Sequence, residues 1–183
     1  MKFAISGPQN TGKTTFIQDF LVHFPHYVSP KETYRDIITK NNLKIDQDAT
    51  EESQKVIRDF LYRQISKNEK DDVIFDRCII DSFVYSLWQH ELGSFSSSFI
   101  AETKAMMLDS INYLDALIFI PTALSVKLVD DNFRDVNHNY IDNINRLFVS
   151  VILEIARETK FNIFVVTGDR NTRIEQMRKV LQN

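Results

Sequence analysis

The 183 residues, 43% hydrophobic and 26% charged, suffice for one soluble globular domain with a sizeable core. A net charge of −3 excludes the overall basic footprint of a nucleic-acid binder, and Cys78, the single cysteine, excludes an intramolecular disulfide or a thiolate metal cage. No apolar run approaches the roughly 18 residues that span a membrane, no leader is expected ahead of a strand that starts at residue 2, and a reducing, cytoplasmic setting is expected.

In chain order, Phe3, Ala4 and Ile5 form a short apolar run that reads as a buried strand over 2–6. Phe16, Phe20, Leu21 and Phe24 then recur at helical spacing and stop before Pro25. Tyr27-Val28-Ser29 predicts a second strand, closed by Pro30, and 31–40 a helix carrying Tyr34, Ile37 and Ile38. Asp48 and Glu51 fit a capping box ahead of a long amphipathic helix with Ile57, Phe60, Leu61 and Ile65 on its apolar face. Val73-Ile74-Phe75 predicts a third strand, ending at Asp76-Arg77, and a helix follows with Ile80, Phe83, Val84, Leu87 and Trp88. After the Ser-rich stretch 93–98 come a helix to about Tyr113, a fourth strand over 116–120, and an aperiodic segment, 122–139, rich in Asp and Asn. A strong helix from Ile141 to Ile155, a fifth strand over 163–166 and a helix over 171–181 complete the chain. Five apolar runs separated by helices predict one three-layer α/β domain over 1–183, a five-stranded parallel sheet with helices on both faces. The segment 122–139 reads as a lid.

Between the first strand and first helix, Gly7-Pro8-Gln9-Asn10-Thr11-Gly12-Lys13-Thr14 fits G-x-x-x-x-G-K-[ST] at every fixed position. The chemistry needs this shape. Glycines let backbone N–H groups converge on phosphate oxygens, and the helix beginning at Lys13 turns its positive end toward the anion. Gly7, Asn10, Thr11, Gly12, Lys13, Thr14 and Thr15 are thus expected to hold the phosphates of a nucleotide, with Lys13 on the β- and γ-phosphates and Thr14 on Mg²⁺.

Ligands of parallel α/β sheets bind at the carboxyl ends of the strands, so the other strand ends are read for chemistry. Asp76 is positioned as a second Mg²⁺ anchor beside Thr14, or as a helix cap. Arg77 offers a planar fork to a substrate, or forms a surface ion pair. Glu32 is a candidate base for an attacking hydroxyl, or complements a helix dipole, and Arg35 stands beside it. Asp81 and Tyr85, four apart on one helix face, can contact an acceptor molecule or serve packing and capping. Arg134 in the lid can close on the transferring phosphate. The four histidines form no ligand-like cluster, and no zinc site is expected.

With these residues in place, the chain resembles small P-loop kinases. Asp76-Arg77 followed by Ser82 and Tyr85 is similar to a segment of thymidylate kinases, with Cys78 where that family usually carries an aromatic residue. A longer resemblance is to the NadR-like group of nicotinamide-riboside-kinase-like ATPase/kinase domains. It runs through residues 7–15, Glu32 and Arg35, then Asp76, Arg77, Asp81 and Tyr85, and the lid Asp130-Asp131-Asn132-Phe133-Arg134, where Asn132 replaces the usual glycine. The resemblance implies a P-loop NTPase fold and phosphoryl transfer from ATP to a small nucleoside, nucleotide or nicotinamide-riboside-like acceptor. It further implies adenine near Gly168 and Arg173, Glu32, Asp76 and Arg77 facing the acceptor, and possible homodimers. The competing expectation is a nucleotide-dependent switch or partner-regulating ATPase with no small acceptor. The carboxylates and arginines gathered after the second and third strands favour the kinase. Neither nucleic acid nor membrane is expected as a partner.

Overall fold

The computed structural model describes residues 1–122 and 138–182. Residues 123–137 of the predicted lid, Arg134 among them, lie outside the described residues. The elements are β1 (Lys2–Ser6), α1 (Lys13–His23), α2 (Tyr34–Asn41), α3 (Glu51–Ser66), β2 (Val73–Asp76), α4 (Ile79–Glu91), α5 (Ser97–Ser110), β3 (Ala116–Phe119), α6 (His138–Glu158), β4 (Asn162–Val165) and α7 (Arg170–Gln182).

The described sheet has four parallel strands in the order β2-β1-β3-β4, which corrects the expected five. The missing strand is Tyr27-Val28-Ser29. Val28 does reach β2: its N–H donates to the Asp72 carbonyl at 3.0 Å and its carbonyl accepts from Ile74 N–H at 2.9 Å. That is an isolated bridge and goes no further. The next residue facing β2 is Pro30, which has no N–H to donate, so the ladder ends after one rung.

Both faces of β1, β2 and β3 are largely buried, with side chains alternating between two cores, while the edge strand β4 is half-buried to exposed. Phe3, Ile5, Ile74 and Ile118 pack with Phe16, Phe20, Ile174 and Met177 of α1 and α7. Ala4, Phe75, Leu117 and Phe119 face the larger core built from α3, α4, α5 and α6. The strand order reverses at β1, flanked by β2 and β3, so the loop leaving β1 opens at the switch point where ligands of such sheets bind.

Local side-chain chemistry sets the helix starts. α2 begins at Tyr34, later than expected, because Thr33 caps it with Asp36 in a reciprocal box. α3 is capped by Thr50 and Ser53, not by Asp48 and Glu51: Ser53 N–H donates to Thr50 Oγ1 at 3.2 Å and Thr50 N–H to Ser53 Oγ at 2.9 Å. Asp48 instead ends a short 3-10 turn, Asp46–Asp48. α3 is fixed against α5 by the buried Arg58, which donates to Thr103 Oγ1 at 3.1 Å and Glu102 Oε1 at 2.9 Å.

Candidate active site

Residues 7–15 leave β1 as a tight loop that ends on the first turn of α1. Gly7 has φ 143°, and a Cβ there would stand 2.2 Å from the Ile120 carbonyl oxygen, a backbone atom. Only glycine fits. Gly7→Ala is expected to cost about 2–4 kcal/mol through backbone strain and displacement of the β3 exit. Urea denaturation checks this, and a loss below about 1 kcal/mol contradicts it.

Lys13 is buried under the loop. Its Nζ donates to the Gly7 carbonyl at 2.8 Å, to the Pro8 carbonyl and, at 3.4 Å, to Thr11 Oγ1. Thr11 Oγ1 in turn donates to the Pro8 carbonyl at 3.0 Å. Arg173 is buried behind the loop: Nη1 donates to the Thr11 carbonyl at 2.8 Å and Nε to the Gly168 carbonyl at 2.9 Å. Burial pulls its guanidinium below the ordinary arginine pKa, with Asp169 opposing. Arg173 thereby ties the phosphate loop to the turn at Gly168.

Two adjoining cavities open beside this loop. The first is a polar cleft lined by Asn10, Thr11, Gly12, Lys13, Thr14, Thr15, Arg35 and Asp76. The second is walled by Ile38, Ile45, Ile57 and Leu61, with Gln54, Asp46, Asp81, Ser82 and Tyr85 as its polar groups. Gln9, Tyr34 and Arg77 line both and form the partition.

Arg77 holds the centre of that partition. Its backbone is left-handed, φ 75°, and its N–H donates to the Ile5 carbonyl at 3.0 Å, which pins it to β1. Nη1 donates to Asp81 Oδ1 at 2.8 Å, both side chains being buried. The guanidinium carbon lies 4.7 Å from the Tyr34 ring centre and 5.5 Å from that of Tyr85. Burial works against its charge, but Tyr34, Tyr85, Asp81 and Asp76 outweigh it and hold the pKa well above the ordinary arginine value. Its Nε is buried without a hydrogen-bond partner among the described residues. Arg35 donates from Nε to the Tyr34 hydroxyl at 3.2 Å, and Tyr34 and Asp76 lift its pKa despite burial.

Asp81 also accepts from Cys78 N–H at 3.2 Å, closing the box that starts α4. Burial pushes the Cys78 thiol up, so it is no nucleophile. The Tyr85 hydroxyl, also raised by burial, donates to Gln9 Oε1 at 2.8 Å.

Asn10 through Thr15, Asp76, Arg77 and Arg35 are thus brought together in one cleft, and Asp81 and Tyr85 in the cavity beside it, while Gly7 turns the chain below them without lining either. Glu32 lines neither: it is exposed and pairs with Lys40 at 2.5 Å. Gly168 and Arg173 stand behind the loop and line neither cavity. Sequence reasoning missed Gln9, Tyr34, Asp46 and Gln54. Gln54 carried a signal: it sits at i, i+3, i+7 spacing with Ile57 and Leu61, a polar residue on an apolar stripe. Among the described residues no three acidic, His or Cys side chains gather as a metal cage. Magnesium beside phosphates does not use one, taking one or two protein oxygens, and Thr14 and Asp76 lining the same cleft fit that demand. No described helix is long and apolar enough to cross a membrane.

The architecture is shared with solved kinases. Deoxyadenosine kinase from M. mycoides, solved with dCMP and dCDP, superposes with a TM-score of 0.73 at 17% identity, covering 100% of this chain and 98% of that one. NadR in complex with NR gives 0.71 at 14% identity over 97% of this chain and 50% of the other. Thymidylate kinase from Candida albicans gives 0.63 at 15% identity over 98% and 90%. No curated protein matches the sequence. These likenesses establish a P-loop NTPase fold of the kinase type. With the family described as AAA domain matching residues 2–173, the chain belongs to that family.

Proposed function

We propose that this protein transfers the γ-phosphoryl group of ATP to a hydroxyl of a small, unphosphorylated, nucleoside-like acceptor. The observation that carries the reading is the second cavity, which shares the wall of Gln9, Tyr34 and Arg77 with the phosphate cleft. A nucleotide switch has no use for a walled apolar cavity beside its γ-phosphate site, whereas a kinase must hold a second molecule there.

In this reading the loop amides and Lys13 bind the β- and γ-phosphates. Thr14 and Asp76 would hold magnesium, which when bound neutralises charge on the phosphate oxygens. The Arg77 Nε hydrogen at the partition donates to the acceptor's hydroxyl oxygen, which satisfies an otherwise orphaned buried donor. Asp76 is the one carboxylate lining the cleft among the described residues, and its second oxygen, the one not on magnesium, would take the hydroxyl proton. The charges favour an unphosphorylated acceptor. Lys13 is committed to the donor nucleotide and Arg77 to Asp81, leaving Arg35 alone to meet a further dianion.

The test is a panel of deoxyadenosine, deoxycytidine, nicotinamide riboside and deoxycytidine monophosphate with labelled ATP. Label is expected on at least one unphosphorylated compound, and the monophosphate is expected to be the poorer acceptor. ATP hydrolysis with no labelled acceptor would establish the switch instead.

A further inference from the structure

Four non-glycine residues among the described ones hold a left-handed backbone: Asn10, Asn42, Asp46 and Arg77. Asn42 is the C-cap of α2, an ordinary use of that conformation. Asn10 and Arg77 line the phosphate cleft. Asp46, with φ 54°, opens the turn Asp46–Asp48 and lines the apolar cavity. Such a backbone is uncommon outside glycine and asparagine and persists where the surroundings hold it.

What imposes it here is Gln89 of α4, itself 2% exposed. Its Nε2 donates to the Asp46 carbonyl at 2.8 Å and to the Gln47 carbonyl at 3.1 Å. A buried amide thus holds an acidic residue in a left-handed backbone at the wall of a cavity whose apolar side is Ile38, Ile45, Ile57 and Leu61 and whose one cation among the described residues, Arg77, is already paired with Asp81. Against such apolar walls a hydrogen bond to a carboxylate is strong and a second anion is repelled. The carboxylate is felt inside the cavity: after burial, and against Arg77, it adds to the upward push on the Tyr85 hydroxyl.

We propose that Asp46 is the specificity-determining residue of the acceptor cavity, its carboxylate receiving amino or hydroxyl donors of the acceptor and repelling anionic compounds, with Gln89 as the positioning residue behind it. This rests on the kinase reading above.

Asp46→Asn tests it, since asparagine keeps the shape and tolerates positive φ. With the best acceptor among deoxyadenosine, deoxycytidine and nicotinamide riboside, acceptor KM is expected to rise about 10–100-fold. The kcat and the KM for ATP should stay within about threefold of wild type, a split that a merely structural role would not give. Discrimination against deoxycytidine monophosphate should narrow by about tenfold. Gln89→Leu is expected to raise acceptor KM in the same direction. An acceptor KM within twofold of wild type in Asp46→Asn, or a fall in kcat with KM unchanged, overturns the proposal. A wild-type protein that hydrolyses ATP but labels none of the three compounds overturns the kinase reading, and this proposal with it.

Discussion

Lys13→Ala is expected to lower ATP turnover by at least about 10²–10³-fold, the usual loss when a preorganised cation on a transferring phosphoryl group is removed. Among the described residues its hydrogen bonds include those to the Gly7 and Pro8 carbonyls and Thr11 Oγ1, all within the loop. Water entering the adjoining polar cleft can replace those bonds, so the stability change should stay near 1 kcal/mol. The loss should also appear in kcat more than in ATP binding. The loop amides and the α1 N-terminus still hold the phosphates, whereas the charge developing in transfer has lost its cation. Single-turnover assays with labelled ATP, beside urea denaturation, separate the two. Turnover within tenfold of wild type would remove Lys13, and with it the loop, from the chemistry.

The phosphate loop was legible because its function lives in local geometry. Gly7, Gly12, Lys13 and Thr14 act through a turn and a helix start that neighbouring residues dictate: Gly7 sits against the Ile120 carbonyl, and Gly12, Lys13 and Thr14 line one cleft at the start of α1. The strand between Pro25 and Pro30 was misread for a non-local reason. Its apolar residues suit a strand, but whether Pro30 ends the ladder depends on which side of the chain faces β2. The apolar cavity beside the cleft was the least legible part. Asp46, Gln54 and Tyr34 come from three separate elements and meet only when α3 packs between α2 and α4. Asp81 and Tyr85 were recognised from their four-residue spacing, yet that spacing alone does not show that their polar atoms turn to Arg77 and Gln9. Glu32 follows Pro30 in sequence, but the Thr33 cap that starts α2 leaves it exposed beside Lys40.

The largest stability loss is expected from Asp81→Ala. Asp81 is 1% exposed and Arg77 8%, and their ion pair at 2.8 Å offsets the cost of keeping both charges out of water. Removing the carboxylate strands the guanidinium between two tyrosine rings, where its pKa forbids it to neutralise. Breaking one side of such a pair costs about 3–5 kcal/mol, and loss of the α4 cap at Cys78 N–H adds about 1 kcal/mol. Against a total stability of about 5–15 kcal/mol, this brings the domain close to unfolding. Arg77→Met combined with Asp81→Leu removes both charges and fills the space, so it should recover about 2 kcal/mol or more over Asp81→Ala. The same double variant should lose acceptor phosphorylation, because the Arg77 donor at the partition is gone. Urea denaturation of the two variants beside wild type decides it: Asp81→Ala within about 1 kcal/mol of wild type would mean that solvent reaches the pair. In that event the partition between the two cavities would not be the dry, fixed wall that the proposed selection of an acceptor requires.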